Sequence, residues 1–237
     1  MAYVVAAPEQ PSLPVRSTAE RFPVRRIFCV GRNYAAHAKE MGAAGDKPAG
    51  GPMYFTKSAH ALAQSGSTLP YPPGTSNYHY EVELVLALGG IGGAPVFRVT
   101  PEQAVAAIYG YAVGFDMTRR DLQNAAKDKG HPWDLGKDCE GGAVVSEIVP
   151  FAELGLLDKG DIRLTRNGKL KQQGDLVDMI WPLGEVISHL SRYYHLQPGD
   201  LIFTGTPEGV GPVQAGDTIV GTVAGVGSAS LTLGPAE

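Results

Sequence analysis

The sequence predicts an α+β chain, rich in short β-strands with only brief helices between them. Three observations carry that expectation. The 31 glycines and 18 prolines among 237 residues require many turns. The chain after Pro198-Gly199-Asp200 reads as strands divided by glycine turns, L-I-F-T-G-T-P-E-G-V-G-P-V, D-T-I-V-G-T-V and S-A-S-L-T-L. Helical spacing of apolar residues is brief where it occurs, as at Leu183, Val186, Ile187 and Leu190. A chain of this length can bury about three quarters of its unfolded surface in a single core. Its 43% hydrophobic and 19% charged residues are those of a globular protein.

Residues 1–24 carry Pro8, Pro11, Pro14 and Pro23 with little periodicity, and are expected to form an extended arm lying over the domain or a partner subunit. Residues 25–237 form the domain proper. I-F-C-V at 27–30 is a short apolar strand that runs into Gly31. N-Y-A-A-H-A-K-E-M-G then reads as a helix through its alanines, stopped by Gly42. The Gly/Pro-rich stretch that follows is a flexible loop, and a polar helix beside such a loop is what a lid requires, because hinge residues must absorb large backbone changes. M-Y-F-T-K is a strand, and the L-P-Y-P-P-G-T turn region delivers the chain to the strand Y-E-V-E-L-V-L.

Thr100, Pro101 and Gln103 spell a helix start reaching about Ile108, followed by a strand to Asp116. Thr118 with Asp121 is a second capping signal, opening a helix that carries Arg119, Arg120 and Gln123 and ends at Gly130. Asn167-Gly168 marks a hairpin. The stripe from Leu183 to Leu190 marks a core-facing helix, and Pro198-Gly199-Asp200 turns the chain into its last strands.

The formal charge of −4 comes without a long basic run, so nucleic acid is not an expected partner. No run of about 18 apolar residues exists, and the N-terminus lacks the basic region and apolar core of a leader, so neither a membrane span nor export is expected. Cys29 and Cys139 cannot make a disulfide framework and match no zinc spacing, which fits a reducing, cytoplasmic setting.

Residues two apart in a strand share a face, so Glu81 and Glu83 stand side by side. Val82, Leu84, Leu86 and Leu88 occupy the other face, while Val85 and Ala87 continue the glutamates' own face with apolar side chains. Adjacent buried carboxylates are costly unless a cation or a shared proton offsets their repulsion. A hard divalent metal does so through oxygen ligands, and Asp116 completes a three-oxygen set. The same E-x-E is also the pattern of a solvated strand face.

His37 and Glu40 are three apart in the lid helix and can touch, an arrangement that suits a general base and equally a solvent-facing pair. Asp116 followed by Arg119 and Arg120 places guanidinium groups at a strand end, suited to a carboxylate substrate; at least one of these arginines should face solvent. Lys137 reads as a solvated loop residue, or beside a metal as a group that steadies negative charge on oxygen. T-G-T-P-E-G-V-G-P lacks the Gly-Lys-Ser/Thr ending of a P-loop, so nucleotide binding is rejected. Its glycines let a loop approach substrate closely with Thr204 or Thr206 supplying a hydroxyl, or form a plain turn. His60, His79, His131, His189 and His195 show no ligand spacing.

Taken in order, C-V-G-R-N-Y-A-A-H-A-K-E-M-G, Y-H-Y-E-V-E-L-V-L-A-L-G, G-Y-A-V-G-F-D-M-T-R-R-D-L-Q, K-G-H-P-W-D-L-G-K-D and P-G-D-L-I-F-T-G-T-P-E-G-V-G-P-V resemble the fumarylacetoacetate hydrolase family over residues from about 25 to 233. With the Pro-rich arm, they look most like its bacterial fumarylpyruvate hydrolase branch. The resemblance implies a mixed β-roll with short helices, a Mg²⁺ or Mn²⁺ ion held by Glu81, Glu83 and Asp116, and a homodimer. It makes His37 and Glu40 a water-activating dyad, Lys137 a catalytic cation, and Arg120, Gln123 and Thr206 the surroundings of a small 2-oxo acid. Two departures, Lys57-Ser58 for the usual Lys-Pro and His60 where an acid is common, leave the metal residues intact and bear on the acyl group.

The implied reaction is metal-dependent C–C hydrolysis of an acylpyruvate, fumarylpyruvate giving fumarate and pyruvate. The alternative is an oxaloacetate-type decarboxylase or a 2-oxo acid isomerase on the same metal site, since fold does not settle reaction. The paired His37 and Glu40 favour hydrolysis, because decarboxylation needs no activated water. A metal-stabilised binding protein without catalysis would leave metal, base and anion-binding residues idle.

Overall fold

The computed structural model describes residues 3–42 and 44–236; Met1 and Ala2 of the arm, Ala43 of the lid loop and Glu237 lie outside the described residues. Regular structure in the proline-rich arm consists of two short strands, β1 (Ser12–Pro14) and β2 (Arg21–Pro23), paired antiparallel. The arm nevertheless buries Leu13, Val15, Phe22 and Val24, which pack with Ile27 and Cys29 of β3 (Arg26–Gly31). Next come α1 (Ala35–Glu40), followed by Gly42 at φ 79°, and then β4 (Met53–Lys57), β5 (Leu62–Gln64), β6 (Ser67–Tyr71), β7 (Tyr78–Tyr80) and β8 (Val82–Leu88). At α2 (Pro101–Ala104) the capping box is complete: Gln103 N–H donates to Thr100 Oγ1 and Thr100 N–H to Gln103 Oε1. A 3₁₀ turn leads from it to β9 (Ile108–Asp116).

The second expected cap is not made. Thr118 belongs to a two-residue strand, β10 (Thr118–Arg119), and α3 (Arg120–Lys129) begins after it. The Thr118 hydroxyl turns inward instead, accepting from Lys137 and within reach of the Asp116 carbonyl and the buried Glu81 carboxylate, while Asp121 accepts from Thr75 Oγ1 and the Ser76 N–H. A hydrogen bond to a buried charged group is worth more than one at an exposed helix end. Gly130, at φ 64°, ends α3 as expected. The chain continues through α4 (Asp134–Lys137), β11 (Ala143–Val145), β12 (Val149–Pro150) and α5 (Phe151–Leu154). Asn167 and Gly168, both at positive φ, turn β13 (Asp161–Arg166) into β14 (Lys169–Asp175). The stripe Leu183, Val186, Ile187 and Leu190 is the buried face of α6 (Leu183–Leu190). The last strands are β15 (Asp200–Phe203), β16 (Gly211–Pro212), β17 (Thr218–Val223) and β18 (Gly227–Ala236).

The main sheet runs β4-β3-β15-β8-β9-β11-β5, with β12 also on β9, and is mixed: β3 with β15 and β11 with β5 are parallel. A second sheet runs β14-β13-β17-β18-β6, and β10-β7-β16 form a small third one. Alternation along β8 explains the layers. Val82, Leu84, Leu86 and Leu88 join a core with Ile162, Leu164, Ile219 and Leu231 of the second sheet. Val85 and Ala87 join the other core with Leu13, Phe22, Leu201 and Phe203. The main sheet is thus apolar on both faces, one against the second sheet and one under the arm. This is a β-rich roll with short helices, as expected.

Candidate active site and metal centre

Glu81 occupies the one-residue break between β7 and β8, Glu83 lies one step inside β8, and Asp116 closes β9. β8 and β9 pair Glu83 with Gly114, and the Asp116 N–H donates to the Glu81 carbonyl at 2.9 Å. Three carboxylates therefore converge from adjoining strands at one end of the main sheet. One oxygen from each lies within 4.8 Å of the others, and the residues are only 4%, 2% and 1% exposed. The solvated-face reading of E-x-E is excluded by that burial.

Buried anions this close require cations. Lys137 Nζ donates to Glu81 Oε2 at 2.9 Å, Asp116 Oδ2 at 2.7 Å and Thr118 Oγ1 at 2.7 Å. Lys137 is thus not a solvated loop residue: α4 carries it into the interior. Lys57 Nζ lies 2.9 Å from Asp116 Oδ1 and donates to the carbonyls of Met117 and Lys137. The Arg120 guanidinium donates to Glu81 and to Gln123, and its Nε reaches His79 Nδ1 at 3.4 Å.

These contacts set the protonation states. Burial works to raise the Glu81 pKa, but Lys137 and then Arg120 overcome it and hold the carboxyl well below the usual range. Among the described residues Glu83 has no cation in contact; burial, then Asp116 and Glu81, push it well above that range, against a hydrogen bond from the Gly205 N–H at 2.6 Å and the more distant Lys137. For Lys57, burial lowers the pKa, and Asp116 is the chief opposing group that leaves it raised. Burial, then the neighbouring Arg120, lower His79 to about 4, so it is neutral at physiological pH.

The donor set fits a divalent metal. Asp116 Oδ1 is buried and, among the described residues, lacks a hydrogen-bond partner, its approach to Lys57 Nζ being off the hydrogen-bond line. Three carboxylate oxygens are the hard donors that Mg²⁺ and Mn²⁺ prefer. Glu81, Glu83 and Asp116 could hold such an ion.

On α1, His37 Nδ1 is 2.9 Å from Glu40 Oε2, so the i,i+3 pair does touch. His37 is buried and lines the same cleft as Glu81, Glu83, Asp116, Arg120, Gln123, Lys137 and Thr206. The T-G-T-P-E-G loop is wired to both halves: Gly205 N–H holds Glu83, and Gly209 N–H donates to Glu40 Oε1 at 3.2 Å. Gly205 needs its glycine, since φ is 100° and a Cβ would stand 2.7 Å from Asn33 Cβ. Of the two threonines, Thr204 spends its hydroxyl on the Leu84 carbonyl, while Thr206 faces the cleft and accepts from Gln172 Nε2 at 2.8 Å.

A family model described as fumarylacetoacetate (FAA) hydrolase C-terminal matches residues 26–233. The chain belongs to the fumarylacetoacetate hydrolase family. A fumarylpyruvate hydrolase of Ralstonia sp. is 57% identical over 197 residues, 83% of this chain and 100% of that protein. The oxaloacetate tautomerase YcgM of Escherichia coli K12 is 38% identical, covering 86% of this chain and 90% of its own. The crystal structure of fumarylpyruvate hydrolase from Pseudomonas aeruginosa in complex with Mn²⁺ and pyruvate matches with a TM-score of 0.93 at 42% identity, covering 99% of this chain and 100% of that one.

Within this member of the fumarylacetoacetate hydrolase family, the residues singled out in the sequence meet around one cleft. Arg119 stays on its flank, its guanidinium reaching, among the described residues, only the Leu135 carbonyl at 3.4 Å. His60, His131 and His195 are exposed, and His189 lies against Tyr54 away from the cleft. Sequence reasoning missed the roles of Lys57, Thr118 and Gln172. Lys57 had a signal: it shares a strand face with Phe55, and Phe55 lines the cleft. Gln172, fully buried in K-L-K-Q-Q-G-D, had none; its Oε1 accepts from the Val82 N–H, and Nε2 donates to Thr206 and the Pro207 carbonyl.

Proposed function

We propose that this chain is a metal-dependent hydrolase that cleaves the C–C bond of an acylpyruvate, converting fumarylpyruvate to fumarate and pyruvate, with residues 25–237 as its catalytic domain. One observation carries this reading: a single cleft is lined by His37, paired with Glu40, and by three buried carboxylates suited to a divalent ion. The 57% and 42% identity to fumarylpyruvate hydrolases supports this substrate over that of the 38% identical tautomerase.

Glu81, Glu83 and Asp116 are the residues that would hold Mg²⁺ or Mn²⁺, and the bound ion supplies Lewis acidity that stabilises negative charge at the 2-oxo acid end of the substrate. Glu40 fixes His37 Nδ1, leaving Nε2 to take a proton from water. The resulting hydroxide adds to the distal carbonyl. The C–C bond then breaks, its electron pair leaving with the pyruvate unit as an enolate, which takes up a proton to give pyruvate while the acyl part departs as fumarate. Lys137 keeps positive charge beside the reacting oxygens, and Arg120, Gln123 and Thr206 surround the substrate. The Gly209 contact to Glu40 ties α1 to the T-G-T-P-E-G loop and so holds the base against the substrate side of the cleft.

No helix of the described residues is long and apolar enough to cross a membrane, and the reading includes a cytoplasmic homodimer. The test is the ultraviolet absorbance of fumarylpyruvate with protein stripped by chelator and then given Mg²⁺ or Mn²⁺. Metal-dependent loss of the conjugated diketone, with pyruvate and fumarate formed in equal amounts, is the expected result. Consumption of oxaloacetate instead would move the assignment to the decarboxylase or isomerase branch.

A further inference from the structure

Arg32 has φ 58°, a left-handed conformation that side chains other than Asn, Asp and Gly rarely adopt. Such a residue persists only where its surroundings over-determine it. Here they do. The next residue, Asn33, is fully buried: its Nδ2 donates to the carbonyls of Thr204 at 2.8 Å and Trp181 at 3.1 Å, and its Oδ1 accepts from the Trp181 N–H at 2.7 Å. Its own carbonyl accepts from the Ile180 N–H at 2.7 Å. On the other side Gly31 lies so close to Met53 that a Cβ would overlap the Met53 methyl. Glycine or asparagine would satisfy this backbone with less strain, so the reason for arginine lies in its side chain.

Arg32 lines the catalytic cleft together with His37 and Asp116, and also an adjoining cavity walled by Lys47, Pro48, Ile180 and Trp181. It therefore stands where the cleft meets residues 44–51. The other cations of the cleft are engaged. Lys137 and Arg120 are bound to the acids, and Lys127 donates to the Met41 carbonyl at 3.1 Å. Lys57, Lys137 and Arg120 are each paired with Glu81 or Asp116. Arg32 is a surplus positive charge, half-buried, with its donors unused among the described residues. A planar guanidinium with free donors at the far side of a site built for one 2-oxo acid suits a second carboxylate.

We propose that Arg32 is a specificity-determining residue that binds the carboxylate on the acyl arm of a dianionic acylpyruvate, selecting it over acylpyruvates with an uncharged acyl group. This rests on the acylpyruvate reading above and assigns the part of that site which reads the acyl end.

The test compares fumarylpyruvate with acetylpyruvate, whose acyl end is a methyl group, in the Mn²⁺-loaded protein and its Arg32→Asn and Arg32→Lys variants. Asparagine suits the positive φ, so Arg32→Asn should fold with a Tm no lower than the parent. Its preference for fumarylpyruvate, as the ratio of kcat/KM values, should fall about 10- to 100-fold, the worth of a hydrogen bond to a charged group. The loss should lie mainly in KM, and Arg32→Lys should recover part of it. An unchanged ratio, or equal losses on both substrates, would overturn the proposal. If the parent turns over neither compound, the hydrolase reading fails, and Arg32 is judged by calorimetric binding of the same two compounds. A preference for the dianion that Arg32→Asn abolishes supports the role; equal binding by parent and variant refutes it.

Discussion

Lys57 Nζ stands 2.9 Å from Asp116 Oδ1, with both side chains sealed from solvent. The same ammonium holds the carbonyls of Met117 and Lys137, so one residue at the end of β4 fastens the end of β9 to α4. Lys137 takes the other Asp116 oxygen. The acid is thus held from two sides, and the positions of the candidate metal donors depend on lysines that are not themselves donors.

Replacing Lys57 by Met keeps the length of the side chain and removes the charge. Breaking a buried ion pair from one side costs about 3–5 kcal/mol. For a chain of this size that lowers Tm by roughly 6–20 °C. Thermal unfolding of the chelator-stripped variant should show the fall, and added Mn²⁺ should restore part of it by supplying another cation to Asp116. A Tm within about 2 °C of the parent would mean that Lys57 does not hold Asp116.

Gly205→Ala tests the loop that carries the Glu83 contact. The added Cβ meets Asn33 Cβ at 2.7 Å and must adopt φ 100°, so neither the side chain nor the backbone can accept it without movement. Movement takes the Gly205 N–H away from Glu83 Oε2. We expect a stability loss of about 1–3 kcal/mol and weaker Mn²⁺ binding by calorimetry. A variant with full metal affinity would show that this hydrogen bond does not position Glu83.

What was legible in the sequence was what depends on neighbours along the chain. The Thr100 capping box, the Asn167-Gly168 turn and the α6 stripe each rest on residues within a few positions of one another. Glu81 and Glu83 were legible because strand alternation fixes their shared face without knowledge of the partner strand. Gln172 was not, because its partners Val82 and Thr206 lie 90 and 34 residues away. Thr118 misled for a related reason: its spacing to Asp121 is that of a cap, but the fold offers its hydroxyl the buried Glu81 carboxylate. The burial of Lys137 follows from the short helix that carries it inward, and D-L-G-K-D-C-E has no periodicity to announce it.

His189 gives a pH dependence remote from the cleft. Its ring stacks on Tyr54 and lies near Tyr193, and its Nδ1 is buried without a hydrogen-bond partner among the described residues. Burial, then Arg192, lower its pKa from the ordinary 6.5. The folded state therefore holds this proton less tightly than the unfolded chain. Its contribution to stability is present above about pH 6.5 and is lost as pH falls toward the folded value. His189→Phe removes that titration, so the Tm advantage of the parent over the variant should shrink between about pH 7.5 and 5.5. A difference that stays constant across that range would show that the imidazole is not depressed.

Glu40→Gln separates the reactions that this metal scaffold can support. The amide keeps the size of the side chain and an oxygen for the Gly209 N–H, but it puts an NH₂ group where a carboxylate oxygen faced His37 Nδ1. If His37 and Glu40 together activate water, kcat for fumarylpyruvate should fall about 10²- to 10⁴-fold. Mn²⁺ affinity should hold, because Glu40 is not one of the three converging carboxylates. Decarboxylation and tautomerisation of a 2-oxo acid need no activated water, so they should tolerate the change far better. Unchanged hydrolysis in the variant would remove the base from the mechanism. Selective loss of hydrolysis with the metal retained would place the dyad at the step that distinguishes a hydrolase from its tautomerase relatives.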